Sequence, residues 1–394
     1  ITGTAAAINT LMGNEGNAGD KVNLDDNFTV TVDAGSASAA HLNTINAKTT
    51  GLVTATAVTE LTGTAASINT LVGNEGNAGD KVDLDADYTA TITDTDLAAS
   101  VLNDLNGNVP GLVDATSITN ITGTAAAINT LMGNEGDSGN KINLDGNFTV
   151  TVDAGSVAAD HLNTISGKTT GLVTATAATT ITGTAAAINT LVGDEGDSGD
   201  KVNLDTDFAV TVAAGSASAA HLNAINAKTT NLVTATDVTN ITGTAAAINT
   251  LLGNEGNAGD KVNLDGNFTV TIDSGSHSAL HLNTINAATT GLVTATAATA
   301  LTGTAAQINT LVGNEGDSGD KVDLDADYTA TISDTDVAAS VLNDLNANVP
   351  GLITATNVTN ITGTAAAINT LMGNEGDSGN KINLDDNFTV TVDA

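Results

Sequence analysis

The sequence predicts a repeat solenoid: an α/β- or β-solenoid of short parallel strands and two-turn helices, with two strand–helix halves in each 60-residue unit. The motif ITGTAAAINTL begins at Ile1 and returns, with small changes, every 60 residues. All seven aromatic residues fall at one position of that repeat. Short runs of alternating apolar and polar residues separate segments of helical periodicity. A strict period of this length indicates units that bury their apolar faces only by stacking on their neighbours.

We expect the whole chain to be one continuous solenoid. Its units cover residues 1–60, 61–120, 121–180, 181–240, 241–300 and 301–360, with a partial seventh unit at 361–394. The second and sixth units share a variant second half that contains the only prolines, Pro110 and Pro350, so a block of four units has been duplicated. Solenoids are closed by atypical polar caps. Neither end shows one, and we therefore expect these residues to be a window of a longer chain.

Each half of a unit contains one short helix. In the first half, Thr4 is the expected N-cap of a helix from Ala5 to Leu11, with Gly13 at its C-terminal end. The expected caps of the second helix are serine in most units and aspartate in the variant units: Ser36 or Ser38, and Asp94 or Asp96. Helices of two turns are stable only when they are docked.

The strands are expected where apolar residues alternate with polar ones. The first run has Val22, Leu24, Phe28, Val30 and Val32 on its inner face, and the second has Val53, Ala55 and Ala57. Helices between successive strands imply a largely parallel sheet. Parallel strands lie about 4.8 Å apart, whereas packed helices need about 8 to 10 Å, so we expect curvature or a superhelical twist.

The charge of the chain limits its partners. The sequence has 45 acidic residues, ten lysines and no arginine, for a net charge of −35. Nucleic-acid binding depends on lysine and arginine, and no apolar run is long enough to cross a bilayer. We therefore expect neither nucleic-acid binding nor membrane insertion. The expected partners are cations and other copies of the chain, joined end to end or laterally, in a medium whose salt screens self-repulsion. There is no cysteine.

Triplets of Asp and Asn residues interrupt the first strand run of the repeats and are candidate Ca²⁺ ligands. Their D-x-D-x-D spacing matches the first three ligand positions of a calcium loop, but the rest of the EF-hand pattern is absent. The candidates are Asp83, Asp85 and Asp87, their equivalents Asp323, Asp325 and Asp327, and the related Asn23, Asp25 and Asn27. The alternative is that these Asp and Asn residues only make a turn between two strands.

Threonine pairs and histidines are two further candidates. Thr-x-Thr recurs in most strand runs, as at Thr29 and Thr31, which allows either an ice-binding Thr-ladder surface or ordinary exposed strands rich in β-branched residues. The histidines His41, His161, His221 and His281 share one repeat position with Val101 and Val341, which indicates a half-buried helix flank and not a ligand site. No nucleophile–base–acid arrangement is present, and an enzyme is not expected.

The repeated sequence pattern TGTAAAINTL…GLVTATAVT resembles, over the whole chain, the long repeats of giant repetitive extracellular cell-surface proteins of marine cyanobacteria. The resemblance implies a very long secreted structural protein for which Ca²⁺ is a candidate ligand, and it supplies no catalytic residues. The expected function is therefore that of a structural protein that forms or self-assembles into a filament or cell-surface layer. The alternatives are the stalk of a large bacterial adhesin and an ice-binding solenoid. The expected location is extracellular or on the cell surface.

Overall fold

The computed structural model describes residues 1–16, 18–19 and 21–393. They form two compact units, Ile1–Thr179 with Gly193–Asp205, and Thr180–Val192 with Thr206–Ala394. Within each unit, short helices alternate with short strands that pair only in parallel. The predicted class, an α/β repeat solenoid, is confirmed. Its continuity along the whole chain stays a prediction.

The described residues contain thirteen helices, each of eight to ten residues. They are α1 Ala5–Gly13, α2 Ala39–Asn46, α3 Ala65–Gly73, α4 Ala99–Asn108, α5 Ala125–Asn134, α6 Ala159–Ser166, α7 Ala185–Gly193, α8 Ala219–Asn226, α9 Ala245–Gly253, α10 Ala279–Ala288, α11 Ala305–Gly313, α12 Ala339–Asn348 and α13 Ala365–Gly373.

The strands have two to six residues. They are β1 Thr2–Gly3, β2 Val30–Val32, β3 Gly35–Ser38, β4 Val53–Ala55, β5 Val58–Gly63, β6 Val82–Leu84, β7 Thr89–Ile92, β8 Asp96–Ala98, β9 Val113–Asp114, β10 Asn120–Gly123, β11 Ile142–Asn143, β12 Thr149–Val152, β13 Gly155–Ala158, β14 Val173–Thr174, β15 Ala178–Gly183 and β16 Val202–Asn203. The others are β17 Ala209–Val212, β18 Gly215–Ser218, β19 Val233–Ala235, β20 Val238–Gly243, β21 Val262–Leu264, β22 Thr269–Ile272, β23 Gly275–Ser278, β24 Val293–Ala295, β25 Ala298–Gly303, β26 Val322–Leu324, β27 Thr329–Ile332, β28 Asp336–Ala338, β29 Ile353–Ala355, β30 Asn360–Gly363, β31 Ile382–Leu384 and β32 Thr389–Val392.

The first helix of each repeat begins where the sequence predicts. In α1, the Oγ1 atom of Thr4 accepts a hydrogen bond from the amide of Ala7 at 3.2 Å, which satisfies one of the free amides of the first turn. The helix was predicted to end at Leu11, but it continues through Gly13. The cap is Asn14, whose amide donates to the carbonyl of Leu11 at 2.9 Å.

The predicted caps of the second helix are only partly correct. Ser38 is the N-cap residue of α2, but its side chain makes no capping hydrogen bond. In the variant unit the N-cap of α4 is Ala98, because Asp96 already belongs to strand β8. Asp94 instead accepts a hydrogen bond at 2.7 Å from the amide of Ala65, the first residue of α3 in the preceding coil. The sequence reasoning missed this link between coils.

Each repeat contains more strands than the expected one per half. Residues 58–114, for example, contain β5 to β9. Turns interrupt the alternating runs: Thr56 and Ala57 form a turn between β4 and β5. The prediction that Ala57 faces inward is wrong, because this turn exposes Ala57 and buries Val58.

In the first unit the strands form three parallel sheets, with the orders β1-β2-β4-β6, β11-β9-β7-β5-β3 and β16-β14-β12-β10-β8. The second unit repeats this pattern in the orders β18-β20-β22-β24-β26, β23-β25-β27-β29-β31 and β28-β30-β32, and β15, β17, β19 and β21 pair in the same way. Apart from the pair β1 and β2, each step along a sheet joins strands that are not consecutive in the chain, with one helix and one other strand between them.

The register of the strands differs from the sequence repeat. Ser36 pairs with Glu60, which is 24 residues later, and Glu60 pairs with Thr89, which is 29 residues later. Two steps along a sheet therefore advance 53 residues, seven fewer than the sequence repeat. Equivalent positions of successive repeats thus lie in different sheets: Ser36 is on β3, and its equivalent Asp96 is on β8.

The core of each unit lies between the sheets and the helices. On the inner face of one sheet, Leu61, Ala90, Val113 and Ile142 pair in turn, and each is at most 1% exposed. The inward position in β23 is occupied by His277, which is 6% exposed and whose Nε2 lies 2.7 Å from the carbonyl of Asp273.

An asparagine also joins each second helix to the next helix. The Nδ2 of Asn43 donates to the carbonyl of Ser67 at 2.8 Å, and that of Asn103 to the carbonyl of Ala127 at 2.9 Å. The second unit repeats the contact at 2.9 Å from Asn223, Asn283 and Asn343 to the carbonyls of Ala247, Gln307 and Ala367. In these five helix pairs, the same hydrogen bond therefore fixes the position of the second helix relative to the helix that follows it.

Candidate functional site

The acidic triplets bring two of their three carboxylates together. The amide of Asp87 donates to Oδ1 of Asp85 at 3.3 Å, and the corresponding distance from Asp327 to Asp325 is 3.2 Å. A hydrogen bond with the Asp87 carboxyl lowers the pKa of Asp85, and the same bond together with the charge of Asp85 raises the pKa of Asp87. The pKa of Asp327 is raised by Asp325 for the same reason. In both triplets the chain therefore turns so that the amide of the third member reaches the carboxylate of the second.

The first member of each triplet lies elsewhere. Asp83 is on strand β6 and pairs with Thr54, and Asp323 pairs in the same way with Thr294. In the segment of Asn23, Asp25 and Asn27, the amide of Phe28 donates to the carbonyl of Asp25 at 3.2 Å, as expected for a turn. Among the residues that the structure describes, no group of three or more His, Asp or Glu side chains is placed to hold a metal ion.

The outer faces of the sheets carry threonine ladders. Thr122, Thr151 and Thr174 lie side by side on three paired strands. Hydroxyl groups on this face donate to the protein itself: Thr149 donates to Oδ1 of Asn120 at 3.0 Å, and Thr151 donates to the same atom at 3.4 Å. These hydroxyls are therefore oriented by the protein and are not directed to solvent.

The histidines that share one helical position are half-buried, as predicted. They are His41, His161, His221 and His281. The buried position of His277 was not predicted, although its sequence signal is clear: it occupies the place that Ala37, Val157 and Ala217 fill in other repeats.

A pocket recurs in the repeats, between the end of the first helix, the acidic turn and the end of the second helix. In the first repeat its volume is about 430 Å³, and its lining includes Glu15, Asp25, Phe28, Asn46 and Lys48. In the other repeats where it is resolved, its volume is about 260 to 350 Å³. Each of those three pockets is again lined by one glutamate, one aspartate and one aromatic ring: Glu75, Asp85 and Tyr88; Glu255, Asp265 and Phe268; and Glu315, Asp325 and Tyr328.

The repeats fall into two kinds at this pocket. Lysine repeats contain Lys48, Lys168 or Lys228 at the end of the second helix, and open repeats contain Asn108, Ala288 or Asn348 at the same position. The ammonium of Lys48 lies 3.8 Å from Glu15, and that of Lys168 lies 3.3 Å from Glu135. This site was not predicted, although the change from lysine to asparagine or alanine at one repeat position could have indicated it.

The tyrosines of two open repeats lie in this pocket. Tyr88 and Tyr328 are each 4% exposed. Burial, with a smaller contribution from the negative charge of Glu75, raises the pKa of Tyr88 to about 12, and burial together with Glu315 does the same for Tyr328. These rings are therefore neutral spectroscopic markers of the pocket over most of the pH range.

The chain matches no protein family, no curated protein and no solved structure. Among the described residues, no helix combines the length and the apolar character that a membrane span requires.

Proposed function

We propose that the chain is an extracellular structural protein that forms, or self-assembles into, a filament or a cell-surface layer. The observation that carries the proposal is the repetition of one contact set within each unit. The same parallel register and the same asparagine contact between helices recur from coil to coil. Such a chain gains length with each added coil and buries a continuous core. This is what a filament requires.

A structural role also fits the distribution of chemical groups. Each repeat places nearly the same side chains at the same positions, so the chain offers a series of similar sites and not one unique site. The net charge of −35 makes association of copies dependent on screening or on bound cations. We therefore propose other copies of the chain and cations, Ca²⁺ among them, as its partners.

Electron microscopy of the protein in marine salt, with and without a calcium chelator, tests the proposal. We expect long, uniform filaments or ordered layers with an axial repeat. Their loss on chelation would implicate the acidic turns. Thin rods that stay separate at high protein concentration in calcium and salt would contradict self-assembly and favour the stalk of a large adhesin.

The second candidate function is ice binding by the threonine ladders. Regular Thr–Thr–Thr rows on paired strands support it, but hydroxyls that donate to Asn120 weaken it. Thermal hysteresis in a chilled solution would support ice binding, and freezing without hysteresis at millimolar protein would exclude it.

A further inference from the structure

In the first repeat, the side chain of Lys48 is itself part of the pocket and lies beside Glu15. In two of the lysine repeats the lysine ammonium lies within 3.8 Å of the glutamate carboxylate. The second helix also ends earlier in the first repeat than in the repeat of Ala288: α2 ends at Asn46, and the amide of Lys48 donates to the carbonyl of Ile45 at 3.0 Å, whereas α10 continues to Ala288. A cation at this position is favoured by the partial negative charge of the helix C-terminus. The structure therefore shows which chemical group the pocket accepts, an ammonium on an aliphatic chain.

The open repeats have a smaller pocket, of about 260 to 350 Å³ against about 430 Å³ in the first repeat, with no lysine at that position. Their glutamates, Glu75, Glu255 and Glu315, are more exposed than Glu15 and Glu135, and none has an ion pair within the described part of the chain. The repeat of Ala288 is the sharpest comparison. Its segment HLNTINAATTG differs from HLNTINAKTTG of the first repeat only in the replacement of lysine by alanine.

An apolar wall is also uncovered in the open repeats. The residue before the glycine near the C-terminal end of the first helix is buried in the lysine repeats, where Met12, Met132 and Val192 are at most 2% exposed. The corresponding residues of the open repeats, Val72, Leu252 and Val312, are partly exposed. Valine occurs in both groups, so the difference does not come from residue size. Lysine side chains commonly cover apolar surface with their methylene stems while the ammonium stays in water.

We propose that the pocket of each open repeat binds a primary alkylammonium group, which takes the place that the Lys48 side chain occupies beside Glu15. The carboxylate of the open repeat accepts the ammonium, and the apolar wall contacts the methylene chain. The ligand is a lysine side chain of a partner or a free aliphatic amine, since both carry the same group. This site is separate from the proposed filament function, and each can fail without the other.

Tyrosine fluorescence of the full chain provides the first test. The protein has two tyrosines and no tryptophan, and Tyr88 and Tyr328 both line open pockets. We expect n-butylammonium chloride to produce a saturable change that equal sodium chloride and n-butanol do not produce. The paired variant Glu75→Gln with Glu315→Gln should weaken this binding about threefold to fivefold, as expected for a partly exposed ion pair. Equal responses to n-butylammonium and sodium would overturn the proposal, as would unchanged binding in the paired variant.

Site counting by equilibrium dialysis provides matched controls. We expect about three n-butylammonium sites per chain, one for each open repeat. Ala288→Lys should remove one site by closing its pocket with an internal ammonium, and Lys48→Ala should add one. A site number that is the same in both variants would contradict the proposal. Tighter binding of cadaverine than of Nα-acetyl-lysine methylamide would identify free amines as the ligand, and the reverse order would identify lysine side chains.

Discussion

Removal of the Asp94 carboxylate should loosen the contact between two neighbouring coils. Its Oδ2 atom lies 2.7 Å from the amide of Ala65 in a partly buried position, and Asp334 makes the same contact with Ala305. The acceptor satisfies one of the free amides at the N-terminus of α3, while Thr64 satisfies another. The carboxylate therefore acts as a second cap, supplied by a coil that follows 29 residues later.

The size of the effect follows from the geometry. Hydrogen bonds to charged groups contribute about 1.5 to 3 kcal/mol, and a carboxylate at a helix N-terminus gains about 0.3 to 1 kcal/mol from the helix dipole. The contact is partly solvated, so we expect Asp94→Ala to destabilise α3 by about 1.5 kcal/mol, at the low end of these values. Asp94→Asn keeps an acceptor but loses the charge, and it should cost about half as much.

Hydrogen exchange of the Ala65 amide is the appropriate assay, because global unfolding of repeat arrays departs from two-state behaviour. A loss of about 1.5 kcal/mol corresponds to roughly tenfold lower protection. Asp96→Ala is the matched control, since Asp96 lies two residues away and accepts only from the hydroxyl of its neighbour Thr95 at 3.1 Å. Equal loss of protection at Ala65 in both variants would show that general charge, and not this contact, stabilises the helix.

Three further predictions concern the core, the tyrosines and the acidic turns. Leu102→Ala should lower the free energy of local opening of α4, measured by hydrogen exchange, by about 2 to 5 kcal/mol, because this side chain is 0% exposed. Leu280→Ala, at a 50% exposed site, should lower that of α10 by less than about 0.5 kcal/mol. The absorbance of the phenolate band should show that Tyr88 and Tyr328 titrate near pH 12. Because their pKa is raised from 10.0 in the folded chain, the stability that they contribute is complete below pH 10 and is lost as the pH rises towards 12. Their joint replacement by phenylalanine should remove this alkaline loss. If the turn at Asp85 binds Ca²⁺, millimolar calcium should raise the melting temperature above that in sodium chloride of equal ionic strength, and no shift would exclude an ordered site.

Local patterns in the sequence were sufficient to predict the start of the first helix and the parallel pairing. Thr4 caps α1 because its hydroxyl can accept from an amide of the first turn. The inward positions Val30, Val32 and Val53 followed from alternation with polar residues, and all three are buried. Alternation was wrong at Val22, which is 41% exposed, and at Ala57, where a two-residue turn changes which side chains face the core.

Contacts between coils could not be predicted from one repeat alone. The partner of Asp94 is set by the register of neighbouring coils, which the sequence period does not reveal, because strands pair at 24 and 29 residues while the motif returns at 60. The calcium hypothesis was limited in the same way. The Asp85 carboxylate accepts from the Asp87 amide, but the spacing could not show that Asp83 would belong to a strand and pair with Thr54.

The difference between the sequence repeat and the pairing step has a mechanical consequence. If strands and helices stacked in one straight column, every helix would need to fit within about 4.8 Å of rise per coil, which even alanine-rich helices cannot do. The seven-residue difference instead moves each repeat into another sheet, since Ser36 lies on β3 and its equivalent Asp96 lies on β8. A single sheet then ends after five strands at most, and a new one begins beside it. A residue inserted within a strand would change the pairing register of that strand, whereas an insertion in a turn such as Asp85–Asp87, between β6 and β7, would change only the pocket beside it. We therefore expect natural variation in length to be confined to these turns and to the pocket that they line.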